Sequence, residues 1–162
     1  MKRAANRSAS RHRLRPSQIR HVAGRRFDDA QRLLAAGRRH ANGAIYLAGI
    51  AVECYLKAEL LSAYPSLAST PPSKLKGTDL HRWELLFRWH DLLGLVEALP
   101  RTLEVLQNNL GSVGAAAVRS LKMIAAQWSI MIRYDSRDMD LADAQHMLSL
   151  AEDVHRCLAN RS

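Results

Sequence analysis

The sequence predicts an all-α protein, a single up-and-down bundle of five to six helices, and three observations carry that reading. Leu and Ala abound while aromatics make up only 6% of the 162 residues, a balance that favours helix over sheet. Large apolar residues recur at helical spacing through most of the chain, and no stretch alternates apolar with polar. One segment, 44–52, carries no charge at all, and a helix apolar on nearly all sides belongs inside a bundle. With 48% hydrophobic residues, a chain of this length buries roughly 70% of its unfolded surface. One domain over residues 17–160 is expected, preceded by a disordered basic arm, residues 1–16.

The elements follow in order. Residues 1–16 hold Arg and Ser but almost no large apolar side chain, too little to order a chain. Ser17 can cap a first helix bearing Ile19, Val22, Ala23, Phe27, Ala30, Leu33 and Leu34, and Gly37 ends it. A short bend at Arg38–His40 makes the next helix its antiparallel neighbour. That central helix runs to Tyr64–Pro65 and includes Gly43 and Gly49. Each glycine costs a helix roughly 1 kcal/mol relative to Ala, so a close approach by a neighbouring backbone is expected there.

Pro71, Pro72 and Gly77 make the following stretch a long loop. Thr78 or Asp79 can cap a third helix through Leu80, Trp83, Leu86, Phe87, Leu92, Leu93 and Val96, which Pro100 interrupts. A shorter helix carries Leu103, Leu106 and Leu110. The next, opened by Ser112, reaches Trp128, Met131 and then Arg133–Tyr134. Asp140, with Asp143 three residues on, caps the last helix, whose buried face includes Leu148 and His155.

Charge is placed as tellingly as it is counted. The formal net charge is +9, and nine of the 24 cations fall in residues 1–26, where there is no acid; the other fifteen balance fifteen acids. The arm can neutralise nucleic-acid phosphates, can serve as a solubilising tail, and superficially resembles a transit peptide. No apolar run approaches bilayer length and no secretory segment opens the chain, so a cytoplasmic protein without membrane contact is expected. Cys54 and Cys157 show no metal or redox spacing and read as buried thiols in a reducing compartment. The seven histidines never pair at i, i+4, so no metal site and no cofactor is expected. His155 reads as a hydrogen-bonded core histidine.

Two constellations can carry chemistry. Glu53 and Lys57 stand at i, i+4 on the central helix, a structural ion pair or a seam facing a ligand. Arg133 beside Tyr134 can grip a phosphate and stack on a base. Equally, Arg133 can meet the last carbonyls of its helix while Tyr134 seals the core.

The central segment AGIAVECYLKA, the His-led stretch His81-Arg82-Trp83-Glu84-Leu85-Leu86 and the later Trp128 to Tyr134 resemble, in order and spacing, the HEPN family of helical domains. The likeness covers residues 20–158. His90-Asp91-Leu92 is a second candidate for the His-led position. The resemblance divides two ways. RNase members carry an Arg followed four to six residues later by His, one side chain to stabilise phosphoryl charge and one to move a proton. Here that spacing occurs only at Arg7 with His12 and Arg15 with His21, both near the basic start, so a catalytic centre is not expected. Members with Arg-Tyr resemble accessory or antitoxin-type components of toxin–antitoxin and defence systems. Such members bind a nucleotide or RNA, pair as homodimers and accompany a nucleotidyltransferase-like protein. The resemblance thus implies a ligand site of Glu53, Lys57, His81, Arg133 and Tyr134. Two rivals stay open: an RNase toxin with a degenerate centre, and a purely structural partner-binding bundle.

Overall fold

A computed structural model describes residues 14–135, 139–159 and 161, the side chain of Arg133 excepted. The expected basic arm lies, for residues 1–13, outside the described residues. Among those described there are no strands and seven α-helices: α1 (Pro16–Ala35), α2 (Ala41–Ala63), α3 (Gly77–Phe87), α4 (Leu92–Glu97), α5 (Pro100–Asn109), α6 (Gly111–Gln127) and α7 (Leu141–Leu158). The all-α expectation holds; the count of five to six does not.

The extra helix comes from a break inside the expected third one. Asp91 turns its side chain back onto the Gly94 amide, Oδ1 to N 2.9 Å, which ends one helical run and caps another. Capping elsewhere also departs from expectation. Pro16 occupies the first turn of α1 and the Gln18 side chain accepts from the Arg15 amide at 3.0 Å, so Ser17 lies inside the helix. α3 begins at Gly77, whose φ of +53° suits glycine; Asp79 bonds Arg82 Nη1 at 3.0 Å rather than capping. Asp140 caps α7 as expected, accepting from the Ala142 amide at 2.6 Å. The long loop after α2 contains 3-10 turns at Pro65–Ala68 and Pro72–Lys74, pinned by the buried Leu67.

The bundle is organised around α2, which packs on α1, α7, α3 and α4. Tyr55, Ile45, Leu56, Leu60 and Leu61 of this helix are all fully buried. The glycines there have a different reason from the one expected. A Cβ at Gly43 would crowd the Leu33 side chain at 3.1 Å, and one at Gly49 would fall inside the Trp128 indole. Side chains, not a neighbouring backbone, come close.

α6 stops at Gln127. Trp128 is extended, and a 3-10 turn over Ile130–Tyr134 follows, with Ser129 Oγ accepting from the Met131 amide at 3.2 Å. Arg133 and Tyr134 therefore belong to a turn packed against α2, not to the end of a long helix. His155 on α7 meets the buried Tyr55 hydroxyl through Nδ1 at 2.6 Å and stacks on Phe27, ring centres 4.7 Å apart. It is hydrogen-bonded as its apolar setting implies, but half-buried rather than within the core. Among the described residues no helix is long and apolar enough to cross a membrane.

Candidate functional site

The site grows from one buried carboxylate. Glu53 is only 3% exposed, and burying a lone charge is costly unless it is paired. Lys57, one turn along α2, brings Nζ to 2.7 Å from Oε1. His90 brings Nδ1 to 2.9 Å and 3.1 Å from the two carboxylate oxygens. The ring meets the carboxylate through Nδ1, which leaves Nε2 on the opposite side of the ring. Lys57 also donates to the Trp89 carbonyl at 3.0 Å. The seam thus ties α2 to the turn between α3 and α4. The adjoining Cys54 thiol is pushed up to about 11 by burial, with Glu53 adding to the effect, and is not a reactive thiolate.

Lys57 is spent on this network. Its side chain is 14% exposed and holds two partners, the Glu53 carboxylate and the Trp89 carbonyl. His81 of α3 joins at one remove: its ring meets the Trp89 ring edge-on, centres 5.5 Å apart. Of the two histidines that could lead this segment, His90 contacts Glu53 and His81 does not.

His81 instead lines a cleft of about 640 Å³ between the end of α2, α3, α4 and the start of α5. Arg82 and Arg101 line it too, with Tyr64, Thr78 and Glu97. The Arg82 guanidinium lies over the Tyr64 ring, its Cζ 3.9 Å from the ring centre, a cation–π contact at the cleft wall. Its Nη1 bonds Asp79, while the buried Nε has no hydrogen-bond partner among the described residues. Arg101 makes no ion pair with a described residue within 4.0 Å. The volume falls in the range of small-molecule sites, roughly 300–1,000 Å³.

The turn bearing Arg133 and Tyr134 is anchored elsewhere on α2. Asn42 Nδ2 donates to the Asp135 carbonyl at 3.3 Å, and Asn42 Oδ1 accepts from the Met139 amide at 2.8 Å. Asn42 and Glu53 are eleven residues apart, roughly 16 Å along a helix axis. Tyr134 is 65% exposed, and the Arg133 side chain lies outside the described residues. The structure brings Glu53, Lys57 and, through Trp89, His81 into one neighbourhood, and holds the Tyr134 turn at the other end of α2.

Sequence reasoning missed Arg82, Arg101 and Tyr64 as neighbours of His81. Arg82 stood within the His-led motif, but nothing in the sequence aligns Tyr64 or Arg101 with it across two turns and a helix. Among the described residues no group of three or more His, Cys, Asp or Glu is placed to hold a metal ion. No family model matches the chain, nor does any curated protein or solved structure.

Proposed function

We propose that this chain is a non-catalytic, HEPN-like cytoplasmic module that binds the phosphate of a nucleotide or RNA. The phosphate sits in the cleft of His81, Arg82 and Arg101, and Tyr64 with Arg82 forms a flat wall for a base. The observation that carries this is the guanidinium of Arg82 over the Tyr64 ring beside Arg101, which makes no ion pair with a described residue. Planar cations of this kind suit phosphate and aromatic rings alike. Glu53, Lys57 and His90 hold the Trp89 turn that backs His81, a positioning role. The turn that carries Tyr134, 65% exposed, is a second place where the same RNA strand or a partner protein would make contact. The family resemblance adds homodimer pairing and an accessory role beside a nucleotidyltransferase-like protein in a toxin–antitoxin or defence pair.

Titration of the full chain with ATP and with a short RNA tests the reading. Arg101→Gln and His81→Ala are expected to weaken binding about tenfold each, the scale of one charge-assisted hydrogen bond. Affinities unchanged in both variants would remove the cleft as the site. Incubation with total RNA tests the absence of catalysis; cleavage that is lost in Arg133→Ala would favour the RNase rival.

A further inference from the structure

A second cleft, of about 380 Å³, opens between α1, α2 and the end of α7. It has nothing in common with the His81 cleft. Arg20, His21, Gly24 and Arg25 present themselves from α1, Tyr55 from α2, and His155 with Arg161 from the C-terminal segment. The spacing explains the gathering: residues 20, 21, 24, 25 and 28 are one i, i+3, i+4 stripe.

Its back wall is a fixed cation. Arg20 is 8% exposed and bonds Glu59 Oε1 at 2.8 Å and Ser62 Oγ at 3.2 Å. Arg161 Nε lies 3.7 Å from the other oxygen of the same Glu59. Two guanidiniums share one carboxylate, so the cluster keeps a positive residue of charge. Arg25 is exposed and makes no ion pair with a described residue within 4.0 Å. Asp28 stands at the rim as the opposing carboxylate, leaving three guanidiniums against two acids. The Tyr55 hydroxyl and the His155 ring, bonded to each other at 2.6 Å, stand at the same wall.

Gly24 is the second observation. It lies mid-helix, where glycine weakens the structure relative to alanine. The packing does not demand it: the nearest atom to an added Cβ would be Tyr55 Oη at 3.7 Å, an ordinary contact. In Gly49 the indole leaves no room, but at Gly24 what is left unfilled is the cleft itself.

We infer that this cleft is a binding site for a small phosphate monoester, with Arg25 and Arg161 gripping the anion, Arg20 fixing the local field, and Gly24 leaving room above Tyr55. A dianionic phosphate matches two guanidiniums that line one cleft, and the volume accepts a body attached to it.

The test is calorimetric titration of the full chain with inorganic phosphate and with a nucleoside monophosphate, in chloride buffer of fixed ionic strength. Arg25→Gln is expected to weaken both at least tenfold. Gly24→Met, which leaves net charge untouched and keeps a good helix former, is expected to weaken the nucleoside monophosphate at least tenfold. Gly24→Ala should raise the melting temperature and lower affinity for the same ligand, a pairing that a purely structural glycine would not give. Repeated in an Arg101→Gln background, where the His81 cleft is weakened, the loss caused by Arg25→Gln should persist, which separates the two clefts. Wild-type-like affinity in Gly24→Met, or no saturable binding by the native chain, overturns the site.

Discussion

Gly49 and Trp128 occupy one another's space: the indole of Trp128 lies where a side chain at position 49 would have to be. The contact seats the extended residue that ends α6 against the middle of α2, and so fixes where the following turn begins. Trp128 is 6% exposed and its buried indole N–H has no partner among the described residues, so shape rather than hydrogen bonding governs this contact. Gly49→Ala is therefore expected to destabilise by about 1–3 kcal/mol through overpacking, although helix propensity alone would make it stabilising by about 1 kcal/mol. Urea denaturation gives the sign directly. A stabilised variant would mean that the indole moves aside freely.

The Glu53 cluster should behave as one unit. Removing the carboxylate charge with Glu53→Gln leaves the largely buried Lys57 ammonium without its counter-ion, and His90 keeps only one of the two oxygens it meets. Breaking a fully buried pair costs roughly 3–5 kcal/mol; Lys57 and His90 retain some access to water, so about 2 kcal/mol is expected here. Lys57→Met should cost a similar amount by stranding Glu53. The double variant should cost less than the sum, since residues sharing a network couple by about 0.5–3 kcal/mol. Additive losses in a double-mutant cycle would show that the two side chains act separately.

Much of this architecture was legible because the signals were local. The charge-free run from Ala44 to Val52 announced a buried helix, and Asp140 announced its own cap. The i, i+4 pair of Glu53 and Lys57 fell on one face by helical geometry alone. The failures were of another kind. Leu86, Phe87, Leu92 and Leu93 continue an apolar rhythm, so the break at Arg88–Asp91 left no gap in the pattern. It is created by a side chain folding back on the backbone, and by Lys57 pulling on the Trp89 carbonyl from another helix. The rhythm likewise ran on through Trp128 to Met131, while Trp128 leaves the helix to fill the space at Gly49. Arg82, Tyr64 and Arg101 share a wall only because of those tertiary choices, which no residue spacing records.

The break itself can be tested. Asp91 is the N-cap of α4, a helix of six residues that buries Leu92, Leu95 and Val96. Asp91→Ala should cost about 1 kcal/mol, as for loss of other N-caps, whereas Asp91→Asn should cost only a few tenths because the amide oxygen still accepts from Gly94. Thermal melts of the two variants distinguish a cap from a charge effect. Equal losses would mean that the carboxylate charge, not the cap hydrogen bond, matters at this position.

Alkaline pH should weaken the fold before it ionises the core. Burial pushes the Tyr55 hydroxyl up to about 12 and the Cys54 thiol up to about 11, from ordinary values of 10.0 and 9.0. Both groups are neutral when protonated, so the folded chain holds its protons where the unfolded chain releases them. Their contribution to stability is complete below pH 9. It falls as pH rises, from about 9 to 11 for Cys54 and from about 10 to 12 for Tyr55. Urea midpoints measured between pH 8 and 11.5 should therefore decline, most steeply above pH 10. Cys54→Ala should remove the earlier part of that decline. Tyr55→Phe should flatten the later part while lowering stability at pH 8 by about 1 kcal/mol for the lost bond to His155. A profile in Tyr55→Phe parallel to the native one above pH 10 would show that this hydroxyl titrates as freely in the folded chain as in the unfolded.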